Sequence, residues 1–294
     1  MQFRPRRSVL YMPGSNARAL EKAKTIAADA LILDLEDAVA PEAKEMARAQ
    51  VGAAVKAGGY GPRELVIRIN ALQSPWGALD LAAAAAAAPD AILLPKVGSG
   101  ADILTAAASL DRTGVPAKTR LWAMIETPLA ILNLSDIAAT SQRPGARLGA
   151  LVLGTNDLVK ETRADLGSNR HSALHWLSAA VIAARAYGLD VLDGVYNDIK
   201  DSEGLKRECL QGRALGFDGK TLIHPDQVAA ANGIFAPTPT EVRLARSIIA
   251  AFAQPHNASK GVITLEGRMV ELLHAKMAER TVAIAEAIQA MGNP

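Results

Sequence analysis

The residues able to do chemistry in this sequence stand where short apolar runs end. Leu33-Asp34-Leu35-Glu36-Asp37, Ile67-Arg68-Ile69-Asn70, Leu94-Pro95-Lys96, Met124-Ile125-Glu126-Thr127-Pro128, Leu153-Gly154-Thr155-Asn156-Asp157 and Ile223-His224-Pro225 all share that form. Glu126 and Asp157 are 31 residues apart, the length of one strand-helix-strand repeat. On neighbouring strands the two carboxylates would reach one point. A hard divalent cation held by one or two carboxylates, with water and substrate completing the shell, is the usual Mg2+ arrangement. Arg68 adds a guanidinium that can grip a small carboxylate with two parallel hydrogen bonds. These residue types together suit an organic acid. A lone acid at a strand end more often caps the helix that follows, and for Asp157 alone that reading stays open. The set resists it, because charges gathered in one mouth cost several kcal/mol per ion unless a ligand or metal compensates.

Such positions require strands that deliver them to a common end. Eight apolar runs bounded by turn residues predict strands at Ser8–Pro13, Ala30–Asp37, Leu65–Asn70, Ala91–Val97, Arg120–Thr127, Ala150–Asp157, Asp190–Val195 and Gly219–Pro225. Between them lie helical stretches, several opened by proline: 16–29, 41–57, 75–88, 99–112, 128–140, 172–187 and 201–215. Near-continuous apolar strands alternating with helices predict a parallel sheet covered on both faces. Eight units predict a closed (β/α)8 TIM barrel, in which chemistry sits at the carboxyl ends of the strands. The rhythm stops after Pro225. Helices over 240–252 and 268–288, joined by a polar connector at 254–261, predict a C-terminal helical lid extension. The expected organisation is thus α/β, with a barrel over residues 1–235 and the lid over 236–294.

Composition narrows the function. The 294 residues are 50% hydrophobic and only 4% aromatic, so the core must be large and aliphatic. Lys plus Arg number 32 against 30 Asp plus Glu, too balanced for a nucleic-acid binder. No apolar run reaches transmembrane or signal-peptide length, so no membrane partner is expected. One cysteine, Cys209, rules out an internal disulfide and a multi-cysteine metal site. A reducing cytoplasm is the expected location. The first 24 residues are locally basic, with Arg4, Arg6, Arg7, Arg18, Lys22 and Lys24 against Glu21 alone.

Those strand-end strings, read with Arg6-Arg7-Ser8-Val9-Leu10-Tyr11-Met12-Pro13-Gly14-Ser15-Asn16 at the start and Gly219-Lys220-Thr221-Leu222-Ile223-His224-Pro225 near the end, resemble the citrate lyase β-subunit-like branch of the HpcH/HpaI aldolase family. That branch includes malyl-CoA and citramalyl-CoA lyases. The resemblance implies a Mg2+-dependent barrel, with Mn2+ as a substitute, that cleaves or forms a carbon–carbon bond in a 3-hydroxyacyl-CoA. Acetyl-CoA and a 2-keto acid, glyoxylate or pyruvate, would be the products. By position it makes Glu126 and Asp157 the metal ligands and Arg68 the grip on the keto-acid carboxylate. Glu36 and Asp37 would hydrogen-bond waters of the metal. Coenzyme A would lie along the first βα units, near Arg18 and Lys22, with His224 and Pro225 across from them. Family lyases carry a proton-transferring aspartate in a C-terminal segment supplied by a neighbouring subunit, so a homotrimer or hexamer with an exchanged lid is implied. Here that string reads Glu266-Gly267-Arg268-Met269-Val270-Glu271, with glutamate at the acidic position. The extra methylene puts rate and reaction type in question, because a catalytic constellation tolerates only about 0.5 Å.

The expected function is therefore a carbon–carbon lyase on malyl-CoA or citramalyl-CoA. The enzymatic alternatives are the citryl-ACP lyase β subunit of a citrate lyase complex and a malyl-CoA thioesterase or malate synthase-like activity. A catalytically silent coenzyme A-binding protein is the non-enzymatic one. Three other motifs point elsewhere. Lys96 invites a Schiff-base aldolase, but such a site has no need of the Glu126–Asp157 pair. His171 and His175 have the i, i+4 spacing of a metal pair without the glutamate of His-Glu-x-x-His. Gly98-Ser99-Gly100 lacks the third glycine of a dinucleotide loop, which Ile103 replaces.

Overall fold

The computed structural model describes residues 3–257 and 259–292. Eight parallel strands close on one another in chain order: β1 (Ser8–Pro13), β2 (Ala30–Asp34), β3 (Glu64–Arg68), β4 (Ala91–Leu94), β5 (Arg120–Ile125), β6 (Leu148–Leu153), β7 (Asp190–Asp193) and β8 (Gly219–Leu222). β8 pairs back onto β1, Val9 facing Thr221. The helices between them are α1 (Ala17–Ala23), α2 (Lys44–Ala57), α3 (Gly77–Ala87), α4 (Gly100–Thr113), α5 (Pro128–Leu132), α6 (Leu134–Ala139), α7 (Thr155–Thr162), α8 (Leu174–Ala186) and α9 (Ser202–Leu215). The (β/α)8 architecture is the one the alternation predicts. Strands 2 to 8 end two to four residues earlier than the apolar runs suggested. Their last polar residues belong to loops, and this is what frees those side chains.

Strand parity fixes which side chains enter the barrel. Val9, Ala30, Ile32, Val66, Ala91, Leu93, Trp122, Met124, Ala150, Val152 and Leu192 pack into one buried interior cluster. Trp122 supplies most of the bulk at one end. The Arg6 guanidinium lies 5.1 Å from its ring centre and pairs with Glu64, at 2.6 Å, and with Asp190. Glu64 and Asp190 open β3 and β7, so this charge knot closes the amino-terminal end of the barrel. Continuing the same parity toward the carboxyl ends places Tyr11, Asp34, Arg68, Glu126 and Gly154 on the inside of the mouth.

The chain divides into two compact units, residues 6–231 and a second formed by the first five positions with 232–294. The division falls within α10 (Val228–Phe235). In the second unit α11 (Pro239–Phe252) precedes an antiparallel hairpin of β9 (Val262–Leu265) and β10 (Arg268–Glu271), then α12 (Leu272–Ala290). The sequence expectation of a helix over 268–288 is corrected at its start, where residues 268–271 are strand. Glu266 and Gly267 turn the hairpin with φ of 50° and 76°, both in the left-handed region that a two-residue hairpin turn demands. Arg280 stacks on Phe3 at 5.1 Å, tying the N-terminal residues to α12.

Candidate functional site

A cavity of about 310 Å³ opens at the carboxyl ends of the strands, lined among others by Tyr11, Asp34, Arg68, Met124, Glu126 and Asp157. Asp34 and Arg68 are register partners on β2 and β3, so their side chains emerge together on the same face. Arg68 lays its fork on Asp34, Nε to Oδ1 and Nη2 to Oδ2 both at 2.6 Å. The Asp34 carboxylate also accepts the backbone N–H groups of Glu36 at 2.9 Å and Ala38 at 3.0 Å. It therefore shapes the loop after β2 and aims the guanidinium. The remaining Nη1 of Arg68 reaches Glu36 Oε2 at 2.9 Å and Asp37 Oδ2 at 3.0 Å. Asp34 was not among the site residues expected from sequence. In Ala30-Leu31-Ile32-Leu33-Asp34 it shares the inward face of Ala30 and Ile32, a parity that the all-apolar run before it leaves without an alternation to read.

Glu126 follows β5 and is fully buried. It is not a helix cap, since Thr127 caps α5 through the N–H of Ala130 at 3.0 Å and Pro128 fills the first turn. Its Oε1 accepts the Lys96 N–H at 2.6 Å, while Oε2 is buried with no hydrogen-bond partner. Gly154 makes room for it. A Cβ on Gly154 would stand 2.3 Å from Glu126 Cβ and 2.8 Å from Oε2, distances that real side chains do not adopt. Asp157 is not a cap either, because α7 begins after Gly154 and Asp157 lies in its first turn. Its Oδ1 sits 2.6 Å from Lys96 Nζ, which is 3.7 Å from Glu126 Oε1. Lys96 is thus an ion-pair bridge between the two expected ligands, held on a backbone with φ of 52°, a conformation costly for a side chain that is not glycine. Burial pulls the Lys96 ammonium down, but the Asp157 bond and the charges of Glu126 and Asp157 outweigh it and hold it above its ordinary value. A Schiff-base lysine needs the opposite shift.

Carboxylates outnumber cations here. Burial pushes the Glu36 carboxyl up to about 8; Arg68 pulls it down, and Glu126, Asp37 and Asp34 push it further up. Burial likewise raises Glu126, against the pull of Lys96. Tyr11 stacks its ring on Arg68 at 4.9 Å, and burial raises its phenol, which stays protonated. No group of three or more histidine, cysteine, aspartate or glutamate side chains shaped to hold a metal occurs among the described residues. The pair Glu126 and Asp157 suits an ion that keeps most of its shell for water and substrate, as Mg2+ does. The unpartnered Glu126 oxygen and the excess negative charge are what such a cation would relieve, so the residues fit it.

The other expected residues fall outside this cluster. Arg18 and Lys22 are exposed on α1. His224 caps the turn at Pro225–Gln227, its Nδ1 accepting the Asp226 N–H at 3.2 Å. Since β8 pairs with β1, the segments after both strands are neighbours at the mouth end. Glu271 belongs to the second unit, where it ends β10 and precedes α12, its N–H donating to His274 Nδ1 at 2.9 Å. His171 and His175 are exposed. The N–H groups of Gly98, Ser99 and Gly100 are taken by Asp102 and Asp136 at 2.7–2.9 Å, which leaves that loop no donors for a pyrophosphate.

Residues 7–225 match the model of the HpcH/HpaI aldolase/citrate lyase family. Over 98% of both chains the sequence is 48% identical to a (3S)-malyl-CoA thioesterase of Cereibacter sphaeroides. It is 36% identical to the citrate lyase subunit beta of Escherichia coli, over 91% of this chain and 89% of that one. It is also 31% identical to the human mitochondrial citramalyl-CoA lyase, over 98% and 88%. Among solved structures, CitE of Mycobacterium tuberculosis in complex with magnesium, acetoacetate and coenzyme A superposes with a TM-score of 0.74 at 30% identity, covering 96% of this chain and 98% of that one.

Proposed function

This chain belongs to the HpcH/HpaI aldolase/citrate lyase family, and from that premise we propose that it is a Mg2+-dependent thioesterase acting on a 3-hydroxyacyl-CoA of the malyl-CoA type. The full-length 48% identity to a malyl-CoA thioesterase carries the reading, and the mouth supports its substrate class. Arg68, preset by Asp34, sets a buried guanidinium in the mouth, beside which the free carboxylate of the acid would lie. Glu126 and Asp157 would hold Mg2+, which when bound supplies a Lewis acid to polarise a substrate oxygen. Glu36 and Asp37 would accept hydrogen bonds from the waters of that ion. Arg18, Lys22 and the His224–Pro225 turn line the side on which the coenzyme A tail would run, and the phosphates would meet the basic face of α1. Hydrolysis adds a water oxygen to the thioester carbonyl carbon and breaks the C–S bond. The sulfur takes a proton, and free coenzyme A and the hydroxy acid result.

Glu271 is the proposed group for proton transfer, brought by a terminal segment exchanged between subunits of a homotrimer or hexamer. A glutamate where lyases of the resemblance carry aspartate supports hydrolysis over carbon–carbon cleavage, because the longer arm sets its carboxylate differently against the reacting carbon. Cleavage to acetyl-CoA and glyoxylate is the second reading, favoured by the lyase relatives at 36% and 31% identity.

Purified protein incubated with malyl-CoA and citramalyl-CoA in Mg2+ decides between them. Thioesterase action releases coenzyme A and hydroxy acid in equal amounts, and EDTA stops it. Acetyl-CoA appearing with a keto acid as the main products would replace this reading by the second. No turnover of either thioester would leave a silent coenzyme A binder.

A further inference from the structure

Two donors in the mouth converge on an atom that is a poor acceptor for both. Tyr11 Oη lies 3.9 Å from Met124 Sδ, and Arg68 Nη1 lies 3.8 Å from the same sulfur. A thioether accepts weakly, so the Tyr11 phenol is under-used at this point of the cavity wall, and Arg68 Nη1, whose other N–H goes to the Glu36 and Asp37 carboxylates, spends its second N–H on the same sulfur. β1 places Tyr11 there by parity with Val9, and the stack on Arg68 fixes the ring. Methionine is flexible enough to yield that point.

We propose that Tyr11 is a specificity-determining residue whose hydroxyl, together with Arg68 Nη1, donates to the substrate's hydroxyl oxygen, the one on the carbon next to the free carboxylate. The inference rests on the substrate class proposed above. A carboxylate presents two oxygens to a fork; two donors meeting at one point fit a single oxygen with two lone pairs. The carboxylate and hydroxyl of a 2-hydroxy acid are on adjacent carbons, so an acid anchored beside Arg68 brings the hydroxyl within one bond of its anchor. The hydroxyl's own proton finds acceptors in the carboxylates lining the same cavity. A site that hydrogen-bonds a hydroxyl leaves its donors unpaired when that hydroxyl is missing, and so it rejects the analogue that lacks it.

The test is titration calorimetry of L-malate and of succinate, the same acid without its hydroxyl, on wild type and Tyr11→Phe in Mg2+. Phenylalanine keeps the ring over Arg68 and removes only the donor. The malate Kd is expected to rise about 10-fold in the variant, the equivalent of one lost hydrogen bond, while the succinate Kd stays put. Equal changes for both acids, no change for either, or a wild type that does not prefer malate would each overturn the proposal. These outcomes are read without turnover. A wild type that prefers malate through Tyr11 but hydrolyses no thioester overturns the thioesterase reading alone.

Discussion

Besides the knot at its amino-terminal end, this barrel carries a charge cluster inside its mouth and another outside its wall. In the mouth, Asp34, Glu36, Asp37, Glu126 and Asp157 share Arg68 and Lys96 as ion-pair partners. Outside, Asp193 of β7 and Lys220 of β8 face α9, alternating with Leu192, which faces in. Arg170 Nη1 donates to both Asp193 oxygens at 2.8 and 2.9 Å. Lys220 Nζ donates to Asp193 at 3.1 Å, to Glu208 at 2.8 Å and to the Gly194 carbonyl at 2.5 Å. Two carboxylates meet two cations there, and none of the buried atoms without a hydrogen-bond partner belongs to that group. Burial alone would raise Asp193, but Lys220 and Arg170 hold it below its ordinary value. Glu36 and Glu126 are shifted the other way. Both clusters are ionic and buried at their centres; the surplus of one sign, with an oxygen left over, separates chemistry from architecture.

The largest expected effect is at Glu126. Glu126→Gln should lower the kcat/KM for malyl-CoA by on the order of 10³-fold, with the melting temperature unchanged or higher, because it removes one of several mutually repelling carboxylates. A variant that melts well below wild type yet keeps its rate would erase the distinction between the clusters. Next is Asp193→Asn, which strands Lys220 and Arg170 without their counter-charge. It should cost about 3–5 kcal/mol of stability in denaturant titrations, with kcat/KM per folded molecule intact.

The same residue sharpens the comparison with pH. A carboxyl held low in the fold contributes stability in full above the ordinary carboxylate pKa of about 3.9, and loses it as pH falls through the lower folded value. Wild type should therefore shed part of its stability on that acid limb, and Asp193→Asn should shed less. Parallel limbs for the two proteins would show that Asp193 is not what titrates there.

Much of the mouth was legible in the sequence because strand-end residues are local. A polar residue closing an apolar run announces itself, and the 31-residue spacing of Glu126 and Asp157 needed only the repeat length. Asp34 required the inward parity of β2, which a strand buried on both faces does not display. Lys96 bridging Glu126 and Asp157 depends on a left-handed backbone that no residue type signals, since lysine seldom adopts it. The outer cluster draws on Arg170, Asp193, Glu208 and Lys220, joined by tertiary packing alone. The hairpin does carry a local signal, since Val262-Ile263-Thr264-Leu265 and Arg268-Met269-Val270-Glu271 flank an Xaa-Gly pair, the ordinary sign of a two-residue turn. Four-residue strands leave little periodicity to weigh against a helix.

The closed floor beneath the mouth also imposes an order in time. Arg6 stacked on Trp122, and the aliphatic layers above it, seal the far end of the barrel, so anything bound at Arg68 and Glu126 leaves by the way it came. A cavity of about 310 Å³ takes the acid half of a malyl-CoA but not its nucleotide tail. In the proposed hydrolysis the acid lies beneath the thioester. Coenzyme A must depart first and malate last. Product inhibition carries the signature of that order: malate should compete with malyl-CoA, while coenzyme A inhibits noncompetitively, and the reversed pattern would mean that the acid finds an exit past the thioester.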